Sequence, residues 1–154
     1  INNDPRAKDW LKVAFVPDYR VSLAEKIIPG ADISEQTSTA GTEASGTGNI
    51  KFAMNGAVTV GTLDGANIEI MQAVGRDNIF IFGLTKDEIA AMRSTNAYRP
   101  RDIYHADPAI RRVLDALYST RFSPGDPGLF APLYESIVEK GDHYFHLADL
   151  PRYI

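Results

Sequence analysis

Three short apolar runs, separated by helix-opening patterns, constrain the fold of this chain more than any other feature. Residues 11–16 (Leu-Lys-Val-Ala-Phe-Val), 57–62 (Ala-Val-Thr-Val-Gly-Thr) and 78–82 (Asn-Ile-Phe-Ile-Phe) are rich in β-branched and aromatic residues. Such runs suit strands buried on both faces. Residues 33–37 form a weaker strand candidate, and residues 144–147 could make a last short one. Between them, Ser22-x-x-Glu25 and Thr85-x-x-Glu88 are capping boxes, in which hydroxyl and carboxylate satisfy each other's backbone donors. Asp107-Pro108 and Asp126-Pro127 each offer an N-cap followed by proline at the first helical position. Helices are therefore expected from Ser22 to a stop at Pro29-Gly30, over 85–93, over 108–119 and over 127–139. Residues 67–73 fit another. Strands alternating with helices give an α/β class with a mainly parallel sheet. Ligands of such sheets bind in loops beyond the carboxyl ends of the strands. Tyr19, Arg20 and the 41–50 loop all follow candidate strands.

At 154 residues the chain fits one domain with a real core. Its 44% hydrophobic and 23% charged content is ordinary for a globular protein. A net charge of −4 argues against a nucleic-acid surface, which needs a basic stripe. With no cysteine, disulfides and thiolate metal sites are excluded. No apolar run approaches the roughly 20 residues that span a bilayer. The chain opens without methionine and enters a strand-like run almost at once, so it reads as a piece of a longer polypeptide.

Residues 41–55 (Gly-Thr-Glu-Ala-Ser-Gly-Thr-Gly-Asn-Ile-Lys-Phe-Ala-Met-Asn) pass from a small-residue loop into an amphipathic helix ending at an Asn55-Gly56 C-cap. A loop of this kind exposes backbone N–H groups at a helix N-terminus, where a phosphate can be held. Lys51, one turn in, would stand beside that phosphate. As a free amine it could attack an aldehyde. Phosphate and aldehyde in one ligand suggest pyridoxal phosphate. An ordinary tight turn with a solvated lysine fits the same spacing. The Walker pattern is absent, and the dinucleotide fingerprint lacks its third glycine.

Other candidates have plain alternatives. Glu43 and Ser45 could hydrogen-bond a polyol or simply be solvated. Tyr19 and Arg20 could pack a ring and attract an anion, or sit idle at a strand end. Asp64 and Glu69 are candidate acids, although Asp64 suits the turn and a cap on the next helix better. His143-x-x-His146 is too short and isolated for a metal site, and His105 has no evident partner.

The residues become specific when taken together. Residues 43–57 (Glu-Ala-Ser-Gly-Thr-Gly-Asn-Ile-Lys-Phe-Ala-Met-Asn-Gly-Ala) resemble the pyridoxal-phosphate signature of the glycogen, starch and maltodextrin phosphorylases. Residues 2–5, 18–26, 34–36, 38–42, 61–67 and 80–83 resemble the same family in the same order. One departure is Ile50, where the family pattern usually has methionine; both are apolar and of similar size.

The resemblance implies a Rossmann-like sheet within the C-terminal domain of a two-domain GT-B type glycosyltransferase, of which residues 1–154 would be part. It implies cleavage of terminal α-1,4-glucosyl bonds by inorganic phosphate, releasing glucose 1-phosphate. Lys51 matches the lysine that forms the Schiff base with pyridoxal phosphate. Gly46, Thr47 and Gly48 match the loop that contacts the cofactor phosphate. Tyr19, Arg20 and Val21 match residues lining the cofactor, and Glu43, Ser45 and Gly46 match residues that bind glucosyl hydroxyls. The cofactor phosphate, rather than its aldehyde carbon, would be the proton donor and acceptor. A homodimeric, allosteric, cytoplasmic parent is implied too, acting on glucan and phosphate without nucleic acid or membrane. The groups that hold substrate phosphate and glucan would lie outside this chain, leaving it inactive alone. A sugar-nucleotide transferase of the same architecture and a non-catalytic glucan-binding relative are the alternatives.

Overall fold

The computed structural model describes residues 2–153. Three strands form one parallel sheet in the order β1 (Ile33–Gln36), β2 (Val58–Thr62), β3 (Phe80–Phe82). Helix α1 (Val21–Ile27) and a 3-10 turn (Ile28–Gly30) precede β1. Helices α2 (Gly48–Met54) and α3 (Asn67–Val74) make the two crossovers. Right-handed crossovers running in one direction place both helices on one face of the sheet. Small residues let them approach: Ser34, Thr59 and Gly61 are buried. A Cβ at Gly61 would stand 2.7 Å from Nδ2 of Asn67 and 2.8 Å from the Gln36 carbonyl. The other face carries Ile33, Glu35, Val58, Val60, Phe80 and Phe82, paired by register across the strands.

The α/β class with helices flanking a parallel sheet is as expected, but the main apolar core lies elsewhere. It is built from α5 (Pro100–Ala106), α6 (Pro108–Tyr118), a π-helical turn (Glu135–Glu139) that continues α7 (Ala131–Tyr134), and α8 (His146–Tyr153). Tyr104, Ile110, Leu114, Val138 and Leu147 meet there. A second cluster of Ala40, Leu84, Ile89 and Phe145 joins α4 (Lys86–Thr95) to the sheet side. Asp149 ties the two regions, accepting from the Leu84 N–H at 2.7 Å.

Several local expectations hold. Thr85 and Glu88 form the complete capping box of α4. Asp107 accepts from the N–H groups of Ala109 and Ile110, with Pro108 at the first helical position. Helix α2 ends on Gly56 at φ 91°, where Gly56 N–H donates to Ala53 and Ala57 N–H to Phe52. That pair of bonds is a Schellman motif, which needs the left-handed glycine.

Others are corrected. Residues 11–16 are not a strand; every one of them is exposed. A parallel strand needs a neighbour's ladder and covered faces, and the described residues supply neither. Val13 instead exchanges both backbone hydrogen bonds with the Asn2 side chain, at 2.6 and 2.8 Å. Ser22 does not cap α1, because the helix already starts at Val21 with Arg20 as an uncapped N-cap. The helix expected from Pro127 begins only at Ala131. Asp126 closes a local turn onto Gly128 N–H at 3.0 Å, and glycine there disfavours helix. Residues 144–147 are not a strand either. Phe145 is left-handed at φ 59°, and the buried Asp142 carboxylate receives Leu147 N–H at 2.8 Å, which starts α8. Helix α5 was not anticipated, although Pro100 opens it.

Candidate cofactor and sugar site

The 41–47 loop leaves the carboxyl end of β1 through residues 37–40 and enters α2. Its shape is imposed from below by the turn that follows β2. The buried Asp64 carboxylate accepts from Gly41 N–H through one oxygen and from Glu43 N–H through the other, both at 2.8 Å. Ser45 carbonyl accepts from Ala66 N–H at 2.6 Å. Gly65 permits that approach, since a Cβ there would meet Ser45 carbonyl at 2.5 Å and Glu43 Cγ at 2.8 Å. Burial pushes the Asp64 carboxyl up, but hydrogen bonds from Glu43, Gly41, Ser38 and Gly65 outweigh it and hold it below its usual value. Asp64 is therefore ionised where the loop is formed. It does not cap α3, whose N-cap is Ala66 with no side-chain bond.

A second buried contact fixes the start of α2 against the start of α3. Asn49 Nδ2 donates to Asn67 Oδ1 at 3.0 Å, and Asn67 Nδ2 donates to the Thr62 carbonyl at 3.0 Å. Thr62 Oγ1 in turn donates to the Ser38 carbonyl at 2.5 Å. The carboxyl ends of β1 and β2 and the amino ends of α2 and α3 thus form one polar cluster.

The expected site residues fall on two sides of α2. Lys51 shares a cavity of about 340 Å³ with Val21, Ala24, Glu25, Ile28, Pro29 and Asn55. Glu43, Gly46, Asn49, Asp64 and Asn67 line another of about 210 Å³, together with residues 35–38. Residues 49 and 51 are two apart, about 200° around a helix, so they face opposite ways. The Lys51 cavity extends toward Asn55 at the C-cap of α2, whereas the other lies at the N-terminal end of the helix. There Gly46 is left-handed at φ 77°, and a Cβ added at Gly48 would meet nothing within 4 Å. Among the described residues, the N–H groups of Thr47, Gly48 and Asn49 donate to no acceptor.

Tyr19 and Arg20 are not brought to the Lys51 cavity. Tyr19 is 58% exposed, and Arg20 pairs at 3.0 Å with Asp18 on the same exposed turn. Ser45 is exposed, and its side chain reaches no further than the Gly46 carbonyl. Glu69 is exposed in the first turn of α3, and His105 is exposed against the Tyr104 ring. Sequence reasoning missed the clamping role of Asp64 and the Asn49–Asn67 pair. Their signal was present: Asn49 lies in the loop-to-helix run, and Asp64 and Asn67 both lie in the 61–67 turn. Only the fold shows that these turns touch.

Residues 1–154, the whole chain, match the carbohydrate phosphorylase family. The chain belongs to that family. Among its carbohydrate phosphorylase relatives, glycogen phosphorylase of Chlamydia trachomatis is 53% identical over 154 residues, 100% of this chain and 19% of the relative. That of Bacillus subtilis is 48% identical over 153 residues, 99% of this chain and 19% of the relative. The liver form of human glycogen phosphorylase is 47% identical over 154 residues, 100% of this chain and 18% of the relative. This phosphorylase chain therefore spans about a fifth of the length of the relatives it matches.

Proposed function

We propose that this chain is the pyridoxal-phosphate-carrying part of an α-glucan phosphorylase, an enzyme that splits terminal α-1,4-glucosyl bonds with inorganic phosphate. One observation carries the assignment beyond family membership. Lys51 opens onto a cavity on the flank of α2, and one turn before it, at the start of the same helix, backbone donors are free and Gly48 leaves the approach clear. Neighbours of this kind fit a phosphorylated aldehyde. The cavity supplies an amine and apolar walls from Val21, Ala24 and Ile28, while the helix start supplies unpaired N–H donors.

In this assignment Lys51 Nζ tethers the cofactor covalently, and Gly46, Thr47 and Gly48 orient its phosphate. Val21 packs against it. Tyr19 and Arg20 complete the lining by turning in from their exposed positions. Glu43, Ser45 and Gly46 hold hydroxyls of the transferred glucosyl unit. When bound, the cofactor supplies a phosphate able to give and take a proton beside inorganic phosphate. The work of this chain is positioning and electrostatic preorganisation. The chain would then belong to the C-terminal domain of a two-domain, homodimeric cytoplasmic enzyme, with glucan and phosphate groups contributed from outside it. Alone, it releases no glucose 1-phosphate from glycogen and phosphate.

Borohydride reduction of the full-length enzyme followed by peptide mapping tests the tether. A pyridoxyl-phosphate mass on the peptide containing Lys51 is expected. An unmodified Lys51 in well-folded full-length protein would sink the assignment.

A further inference from the structure

Asp64 contributes nothing to the cofactor and reaches no sugar hydroxyl in the scheme above, yet with Asp142 and Asp149 it is one of three buried carboxylates among the described residues. Both its oxygens are engaged, and both by the loop that bears Glu43. We propose that Asp64 is a positioning residue for glucosyl recognition: it sets the backbone of Gly41 and Glu43 so that the Glu43 carboxylate meets the sugar. This rests on the proposed function, in which Glu43 holds a glucosyl hydroxyl.

Three features support a dedicated clamp. The two bonds are charge-assisted and short, the stronger class of hydrogen bond. They enter the loop at alternate residues, so they fix its direction as well as its position. The loop is also seated on Gly65, where a side chain would collide with Ser45 carbonyl and Glu43 Cγ. The start of α2, with Lys51, is held separately by Asn49 and Asn67. Loosening the clamp should therefore disturb the sugar side and spare the tether.

The test uses the full-length enzyme with Asp64→Asn. An amide presents one acceptor and one NH₂ donor, so one of the two loop N–H groups faces a donor instead of an oxygen. Gly65→Ala disturbs the same loop sterically and leaves Asp64 in place, so a folding failure of the first variant does not end the experiment. Each protein is assayed in the synthesis direction with glucose 1-phosphate and with its monodeoxy analogues. Borohydride trapping at Lys51 and thermal unfolding are measured beside the kinetics.

Both variants are expected to lose on the order of 100-fold in kcat/KM for glucose 1-phosphate, the scale of an ångström-sized misplacement. For the deoxy analogue that costs the unsubstituted enzyme most, they should lose less than about threefold, because the misplaced contact is already gone. Trapping at Lys51 should be unchanged. The proposal is overturned if the variants keep the full discrimination between glucose 1-phosphate and that analogue, whatever happens to their melting temperature. It is likewise overturned if activity falls only in proportion to lost cofactor. Failure of the unsubstituted enzyme to trap cofactor at Lys51 would instead overturn the cofactor assignment, and the positioning role with it.

Discussion

Replacing Asn67 with alanine should loosen α2 and α3 together. Asn67 is 1% exposed and makes two side-chain bonds at 3.0 Å, one accepted from Asn49 and one donated to the Thr62 carbonyl. The Thr62 carbonyl keeps a second donor, Asp64 N–H at 2.9 Å. Its share of the loss is thus one net hydrogen bond, about 1 kcal/mol. Asn49 is 4% exposed and is left with a stranded amide donor, a further penalty of about 1–3 kcal/mol. The expected total is about 2–4 kcal/mol, or roughly a 30- to 1000-fold rise in local opening at 1.4 kcal/mol per decade. Hydrogen–deuterium exchange on the full-length enzyme reads this directly, because local opening sets amide protection. Peptides covering residues 48–56 and 67–75 should lose protection together, while those over α6 stay unchanged. In the double variant Asn49→Ala, Asn67→Ala the second change should add less than it costs alone, since the stranded donor is gone. A fall in protection below about fivefold, or full additivity of the two substitutions, would refute the account of this pair.

Lys51→Arg should abolish borohydride-trapped cofactor while leaving the protein folded; the check is the mass of the Lys51-region peptide beside a far-UV spectrum. Gly48→Val should cut cofactor retention at least tenfold with little change in melting temperature, because a Cβ there meets no atom within 4 Å and the side chain occupies the approach to the free N–H groups. Leu114→Ala should cost about 2–5 kcal/mol of local stability by opening a cavity among Tyr104, Ile110, Val138 and Leu147, read as lost exchange protection across α5, α6 and α8. Glu88 is held down to about 2 by hydrogen bonds from Thr85 N–H, Arg152 and the Thr85 hydroxyl. A lowered folded value means that the unfolded chain binds more protons, so the cap's contribution is complete above the ordinary carboxylate range. It is lost as pH falls from there toward 2. Protection at the start of α4 should follow that course in the parent and should show no such step in Glu88→Gln.

The parts of the fold that could be read from sequence were those governed by local chemistry. The box at Thr85 and Glu88, the Asp107-Pro108 start and the Gly56 stop each depend on residues within one turn, and each formed as expected. Strands β2 and β3 were legible because their apolar runs of β-branched and aromatic residues sit between glycine-bearing turns, whereas β1, with only Ile33 apolar, gave a weaker signal. The failures share a different cause. Residues 11–16 have the composition of a strand, but pairing depends on what lies alongside, and Asn2 takes the Val13 backbone instead. Residues 144–147 were misjudged because Asp142, a buried carboxylate further back, starts a helix there. At the site, Lys51 and the glycines were visible as a run of residues. Asp64 was read as a cap on its own helix because no pattern in a single stretch shows that its carboxylate turns back toward residues 41 and 43, some twenty positions earlier.

The arrangement of both crossover helices on one face of the sheet has a cost on the other. Ile33 at 61% and Phe80 at 66% exposure lie on a surface bordered at its margin by Arg76, Arg152 and Tyr153; Tyr153 packs edge-on to Phe82 and donates to Glu35. Both outer strands also keep an open edge among the described residues. Whenever this segment is separated from its neighbours, during synthesis or after a proteolytic cut, it presents bare apolar rings beside unpaired backbone. Those are the features that seed aggregation and recruit chaperones. The helix-covered side of the sheet builds the site, and the bare side makes the isolated segment vulnerable.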